Sequence, residues 1–375
     1  MDRIYFDNAA TTPLDQDVFE TMKPYFTEKF GNPSTIYSYG RETKSAIEKV
    51  RKQVAQYLNA QPAEIIFTSG GTESTNTAIH AAVEDLGCTR IITSPIEHHA
   101  TLHAVEATER THQAKLAYVD ILSNGHVDLN SLEVLLGQSD EKTLVALMHA
   151  NNEIGNLLDA EKVGELCEKY QAYFFCDTVQ TVGHYPIDVQ KIKAHFINGA
   201  AHKFNGPKGI GMLYINKAVK IHPYIYGGGQ EREMRSGTEN VYGIIGFGKA
   251  LDIAQQHYKE YSSRIQDLKD YMAKQLEANI EGITFNGDWK GQSLYTVLNV
   301  GFPNSNKTEM LLFNLDLAGI CVSGGSACSS GANTGSHVIR TIHPDAAQTP
   351  IRFSFSKYNT KEEVDIVIEK LKESL

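Results

Sequence analysis

From about residue 60 to residue 215 the chain alternates short runs of apolar and β-branched residues with longer stretches whose apolar positions recur at helical spacing. The short runs predict strands over residues 64–67, 90–93, 115–119, 143–148, 173–176 and 195–197. Residues 161–170 place Val163, Leu166, Cys167 and Tyr170 on one face, which predicts the crossover helix that feeds the strand ending at Cys176 and puts Cys167 in the core. This β-α rhythm predicts an α/β fold with a mainly parallel, seven-stranded type of sheet. Residues 209–215 follow the Gly206-Pro207 turn so closely that they predict an antiparallel neighbour for the preceding strand.

Beyond Tyr242 the pattern changes. A long helical stretch over residues 244–279 leads out of the first region, and strands at 295–300 and 351–355 with a helix at 361–375 predict a smaller α+β unit. A chain of 375 residues exceeds the size at which one core stops growing. The expected division is a large domain of residues 14–255 and a small one of residues 1–13 and 256–375. The composition, 41% hydrophobic and 21% charged, is that of an ordinary globular protein. A net charge of -10 argues against a nucleic acid or anionic membrane partner and for small-molecule chemistry. Residues 1–13 lack the apolar core of a signal peptide and no apolar run reaches membrane-spanning length, so the expected location is the cytoplasm. Five cysteines, Cys88, Cys167, Cys176, Cys321 and Cys328, with no C-x-x-C spacing, fit reduced thiols better than a disulfide framework.

Chemistry concentrates where predicted strands end. Lys203, in the run Ala201-His202-Lys203-Phe204-Asn205-Gly206, stands at a carboxyl strand end, the edge at which open α/β sheets bind ligands. It reads either as a solvated lysine or as one that forms an imine. Asp177 ends the strand one connection earlier, and a carboxylate with a lysine is what a pyridoxal-phosphate (PLP) site needs, one to keep the ring nitrogen protonated and one to hold the carbonyl carbon. Thr68-Ser69-Gly70-Gly71-Thr72-Glu73-Ser74 follows a strand and opens a helix, so its free N–H groups suit a phosphate. A plain capping turn built on Ser69 or Thr72 explains the same run. In Glu97-His98-His99 the adjacent histidines point apart and lack a full ligand set, so no metal is expected, whereas one imidazole could stack on a ring or move a proton. Cys328 lies in the small-residue run Ser323-Gly324-Gly325-Ser326-Ala327-Cys328-Ser329-Ser330-Gly331, unlike the apolar settings of Cys167 and Cys176, and reads as the reactive thiol.

Together these segments resemble the NifS/IscS group of cysteine desulfurases, in the class V aminotransferase family of fold type I (aspartate aminotransferase-like) PLP enzymes. The resemblance spans nearly the whole chain, from Tyr5-Phe6-Asp7-Asn8-Ala9-Ala10-Thr11-Thr12-Pro13 through His149-Ala150-Asn151-Asn152-Glu153 to Ile351-Arg352-Phe353-Ser354. It implies that Lys203 binds the cofactor covalently, Asp177 pairs with the ring nitrogen, Gln180 meets the ring hydroxyl and His98 stacks on the ring. Gly71, Thr72 and His202 would hold the phosphate, joined by Thr238 from the other subunit of a homodimer. Asn152 and Arg352 would bind the carboxylate of L-cysteine, and Cys328 would take its sulfur as a persulfide for an acceptor protein such as an iron–sulfur scaffold, or for tRNA thiolation.

The sequence departs from the group's pattern at several points. Ala200 replaces a phosphate-binding serine, Tyr37 a histidine and Ser356 a glycine, and Asn333-Thr334-Gly335-Ser336 stands in place of a Leu-Glu-Pro-Ser stretch. Sequence alone leaves two further readings open: another fold type I enzyme, such as an aminotransferase or selenocysteine lyase, and a degenerate homologue acting as a scaffold or sulfur-trafficking partner.

Overall fold

The computed structural model describes residues 3–325, 335–345 and 348–375. Its strands run in chain order as β1 (Ile4–Tyr5), β2 (Ile65–Thr68), β3 (Arg90–Thr93), β4 (Lys115–Tyr118), β5 (Thr143–Met148), β6 (Tyr173–Asp177), β7 (Phe196–Ala200), β8 (Gly211–Ile215), β9 (Thr284–Asn286), β10 (Val297–Pro303), β11 (Ile320–Cys321) and β12 (Gln348–Ser354). Seven of them form one sheet in the order β2-β8-β7-β6-β5-β3-β4. All pairs are parallel except those of β8, which is antiparallel to both β2 and β7.

Why these runs are strands follows from what covers them. Along β5, Leu144 and Ala146 pack into one buried cluster while Val145 and Leu147 pack into another; β6 divides Phe175 from Phe174 and Cys176 in the same way. Successive side chains of a strand point to opposite faces, so a sheet roofed by helices on both sides must be apolar at every position. Ala160–Lys169 is the crossover helix between β5 and β6, and its Cys167 lies in the core with Val163 and Leu166.

The long helical stretch expected over residues 244–279 is helical and divides into two helices. Val241–Gln256 ends at His257 and Tyr258–Asn279 begins there. The first buries Ile244, Phe247 and Leu251 in the core of the large sheet, and the second buries Ile265, Met272 and Leu276 in a separate core. Each must present its apolar stripe to a different core, so the chain turns between them. That second core is closed by the antiparallel sheet β12-β10-β9, by the parallel pair β1-β11 and by the helix Lys361–Ser374. Phe6, directly after β1, packs edge-on against Phe355 within it, which brings the start of the chain to the C-terminal third. Among the described residues no helix is long and apolar enough to cross a membrane.

Candidate active site

The strand ends Thr68, Met148, Asp177 and Ala200 fall on one edge of the large sheet, where β8 starts: Gly211 stands opposite both Thr68 and Ala200. Against this edge lies a cavity of about 240 Å³, lined by Gly71, Thr72, His98, Asn152, Asp177, Gln180, Ala200, His202, Lys203 and Arg352, among others. Residues far apart in sequence thus meet because most of them lie at or just after strands that end on this edge, while Arg352 comes from β12 of the other sheet.

Lys203 closes a 3-10 turn, Ala201–Lys203, directly after β7. Its Nζ donates to the carbonyls of Ala9 at 2.7 Å and Ala10 at 2.9 Å, so the Asn8-Ala9-Ala10 run forms one wall. Gln180 donates from Nε2 to the same Ala9 carbonyl at 3.0 Å. Asp177 is buried, and its Oδ1 accepts the Val179 N–H at 3.0 Å. Burial pushes its carboxyl above the usual range, countered by the Val179 N–H, the Asn198 amide and the charge of Lys203. A cationic donor arriving in this cavity relieves that cost, which is the service a protonated ring nitrogen performs.

His98 caps the helix His99–His112 by accepting the Ala100 N–H on Nδ1 at 3.1 Å. Burial, with Lys203 adding to it, lowers its pKa to about 4. The ring is therefore neutral at pH 7 with its proton on Nε2, a flat uncharged surface on the cavity wall. His202 also lies on the wall, with Nδ1 3.1 Å from Thr11 Oγ1, and burial followed by Lys203 and Lys208 lowers it to about 4.

The helix Gly71–Glu84 begins at the cavity with Gly70 as its N-cap and no side chain capping it; neither Ser69 nor Thr72 serves, and the Ser69 N–H is itself taken by Glu73 at 2.8 Å. Its first-turn N–H groups and positive end are left for an anion. Gly71 is needed here because a Cβ would stand 2.6 Å from Val179 Cγ2. Ala200 presents a methyl beside this cradle and offers no hydroxyl. The buried carboxylate, the lysine, the neutral ring and the open helix end fit PLP at its ring nitrogen, carbonyl carbon, ring face and phosphate.

On the opposite side Arg352, on β12, is almost wholly buried. Its Nη1 donates to the Asn152 carbonyl at 2.8 Å and its Nη2 to Asp7 Oδ1 at 2.6 Å, while its buried Nε has no hydrogen-bond partner among the described residues. Nothing local in the sequence marks Asp7 as the counter-ion of a residue 345 positions away. Nor does the sequence mark Glu97. It is buried with both carboxylate oxygens lacking side-chain partners, and burial, countered by a Met148 backbone hydrogen bond and reinforced by the charge of Asp177, pushes its carboxyl well above the usual range.

Thr238 does not line this cavity; it is exposed. Its segment is nevertheless fixed to the phosphate cradle. Glu231 accepts both Nη atoms of buried Arg51 at 2.7 Å and the Phe67 N–H of β2 at 2.8 Å, and Arg235 pairs with Glu73 at 2.9 Å. These anchors hold Glu231, Arg232 and Glu233 at positive φ, a conformation costly for residues with a Cβ. Cys328 lies outside the described residues, as do Asn333 and Thr334. Ser336 donates to Glu153 at 2.5 Å and caps the helix His337–Ile342. Tyr37 is exposed at the N-cap of the helix Ser38–Leu58, and Ser356 is buried against Asn359. Burial disfavours the thiolate at the described cysteines: it raises Cys88 to about 12 and pushes Cys167, Cys176 and Cys321 upward as well.

The chain is similar to known proteins over nearly its whole length. The model of the aminotransferase class-V family matches residues 4–367. A cysteine desulfurase IscS of Dictyoglomus turgidum is 42% identical over 372 residues, covering 98% of this chain and 93% of its own. The solved structure of a NifS-like protein superposes with a TM-score of 0.91 at 38% identity, covering 99% of this chain and 98% of its own. A structure of SspA in complex with cysteine does so with a TM-score of 0.81 at 30% identity, covering 95% and 100%. The chain has the fold type I architecture of PLP enzymes and belongs to the aminotransferase class-V family, within its NifS- and IscS-like group.

Proposed function

We propose that the chain is a PLP-dependent cysteine desulfurase, which converts L-cysteine to L-alanine and leaves the sulfur as a persulfide on Cys328. The observation that carries this is the meeting of Lys203, Asp177, His98 and the uncapped end of Gly71–Glu84 in one cavity whose far side is Arg352. When bound, PLP supplies an electron sink into which the substrate's Cα–H electrons pass. Lys203 Nζ would hold the cofactor and, as a free amine, would take the substrate's α-proton and return it. Asp177 keeps the ring nitrogen protonated, Gln180 meets the ring hydroxyl, and neutral His98 covers the ring. Gly71, Thr72 and His202 hold the phosphate. Arg352 and Asn152 fix the substrate carboxylate, the orphaned Nε offering a donor. The Cys328 thiolate then attacks the substrate sulfur; the S–S bond forms as the C–S bond breaks, and the electrons and a proton end on the alanine carbon. The high pKa of the four described thiols supports Cys328 as the acceptor.

The working unit in this reading is a homodimer, with Thr238 completing the partner's phosphate site. In support, exposed Phe26 stacks on Tyr242, four positions after Thr238, at a centroid distance of 4.2 Å, and exposed Phe30, Ile36, Tyr37 and Tyr39 extend the apolar surface. The two cores support a large unit of residues 14–255 and a small one of residues 1–13 and 256–375 that carries the reactive cysteine. Free thiols suit a cytoplasmic protein, and the persulfide would pass to an acceptor protein such as an iron–sulfur scaffold, or toward tRNA thiolation. The test is the visible spectrum of the purified protein together with alanine release from cysteine. Wild type should show the cofactor band and form alanine, whereas Lys203→Ala should lose turnover and the lysine-bound form of the band. A wild type unable to take up PLP refutes the reading.

A further inference from the structure

Away from the cavity, the C-terminal turns of two neighbouring helices bring together His80 and Glu84, four residues apart on one face of Gly71–Glu84, and His112, the last residue of His99–His112. Their ligand atoms all lie within 4.8 Å of one another. We propose that these three side chains form a binding site for a divalent transition-metal ion of the zinc type, joining the ends of the two helices.

The hydrogen bonds around His112 show what the cluster lacks. Thr111 Oγ1 donates its one proton to the Ala107 carbonyl at 2.8 Å, so toward His112 Nδ1, 2.7 Å away, it can only accept. His112 Nδ1 therefore carries a proton, and in the neutral ring the lone pair sits on Nε2. That Nε2 is in contact with Glu84 Oε1, so two lone pairs face each other. Either a proton or a cation must lie between them, and His80 brings a third donor to the same point. A proton is shared by two atoms; three converging donors suit a metal. Two imidazoles and one carboxylate are a zinc-type set, with the fourth position left to water. The Thr111 hydroxyl fixes the tautomer of His112 in the manner of an outer-shell partner, and Tyr224 packs edge-on to the His80 ring at 5.0 Å, orienting it. Metal–ligand bonds of about 2.1 Å set ligand atoms roughly 3.4 Å apart. Glu84 and His112 are exposed, which leaves their side chains room to adjust to that spacing. The strongly negative net charge of the chain favours a cation. The site shares no residue with the proposed PLP cavity, so it stands or falls independently of the reaction.

The test is equilibrium dialysis of the PLP-loaded protein against micromolar zinc chloride, after alkylation of accessible thiols so that cysteines do not contribute. Wild type should retain one zinc per chain. His80→Ala and His112→Ala should each lose it, Glu84→Gln should weaken it, and His257→Ala, at a surface histidine elsewhere, should retain it. All variants should keep the cofactor band, which confirms their fold. Failure of the alkylated wild type to hold zinc, or retention of zinc by both histidine variants, overturns the proposal.

Discussion

Asp7 already occupies part of the Arg352 guanidinium, the group to which the proposed function assigns the substrate carboxylate, and this makes Asp7→Asn an informative perturbation. Asn keeps an acceptor for Arg352 Nη2, now 2.6 Å from Asp7 Oδ1, and removes the negative charge. Two carboxylates held on different edges of one guanidinium stand about 7 Å apart, and at an effective dielectric of about 20 they repel by roughly 2.4 kcal/mol. Asp7 is partly open to solvent, which screens some of this. Removing about 1–2 kcal/mol of repulsion corresponds to a KM for cysteine lower by roughly 5- to 30-fold. The gain is common to ground and transition states, so kcat should be unchanged. The assay is alanine formation against cysteine concentration, with Asp7→Ala as a control that loses orientation as well as charge and should not gain affinity. Thermal unfolding should show Asp7→Asn less stable than wild type, because a buried guanidinium is left with neutral partners. A KM that is unchanged or higher in Asp7→Asn, with the cofactor band intact, refutes the assignment of Arg352 to the substrate carboxylate.

Two further outcomes follow from buried charge. Asp177 has a raised pKa in the cofactor-free cavity, so the native apoprotein binds more protons than the unfolded chain above about pH 3.9 and loses stability as pH rises through the raised value. Asp177→Asn should raise the unfolding temperature of the apoprotein at pH 7 while abolishing turnover of the loaded enzyme, and an apoprotein destabilised by this change would contradict the account. Lys269 is fully buried, donates to the Leu294 carbonyl at 2.8 Å and has its pKa lowered to about 8 by burial. Between that value and the ~10.4 of a free lysine the unfolded chain binds the extra proton, so wild-type stability should rise with pH in this window, and Lys269→Met should flatten the rise in denaturant titrations.

The large sheet was legible because both its faces are covered: strands such as Arg90–Thr93 and Thr143–Met148 are buried at every position and carry runs of consecutive apolar residues, Ile91-Ile92 and Leu144-Val145-Ala146-Leu147-Met148. The break at His257 was not, since the apolar spacing continues across it and no Pro or Gly marks it; only the existence of two cores explains the turn. In the site, Lys203, Asp177 and Gly71 could be read because each follows a strand end that topology places on one edge. Partners of long sequence separation left no such trace. Asp7 against Arg352, and Arg51 against Glu231, which holds three non-glycine residues at positive φ, are tertiary facts. Nor does Ala200 announce its consequence: in the proposed function the phosphate would rest on the open helix end and His202 without a hydroxyl from that strand.

The most direct measurement is the yield of alanine and of protein-bound persulfide from cysteine, in wild type and Cys328→Ser, both carrying the cofactor. The account predicts one persulfide per alanine in the first turnover of wild type, and neither product from Cys328→Ser despite an unchanged visible band. Alanine formed at the wild-type rate by Cys328→Ser would contradict it.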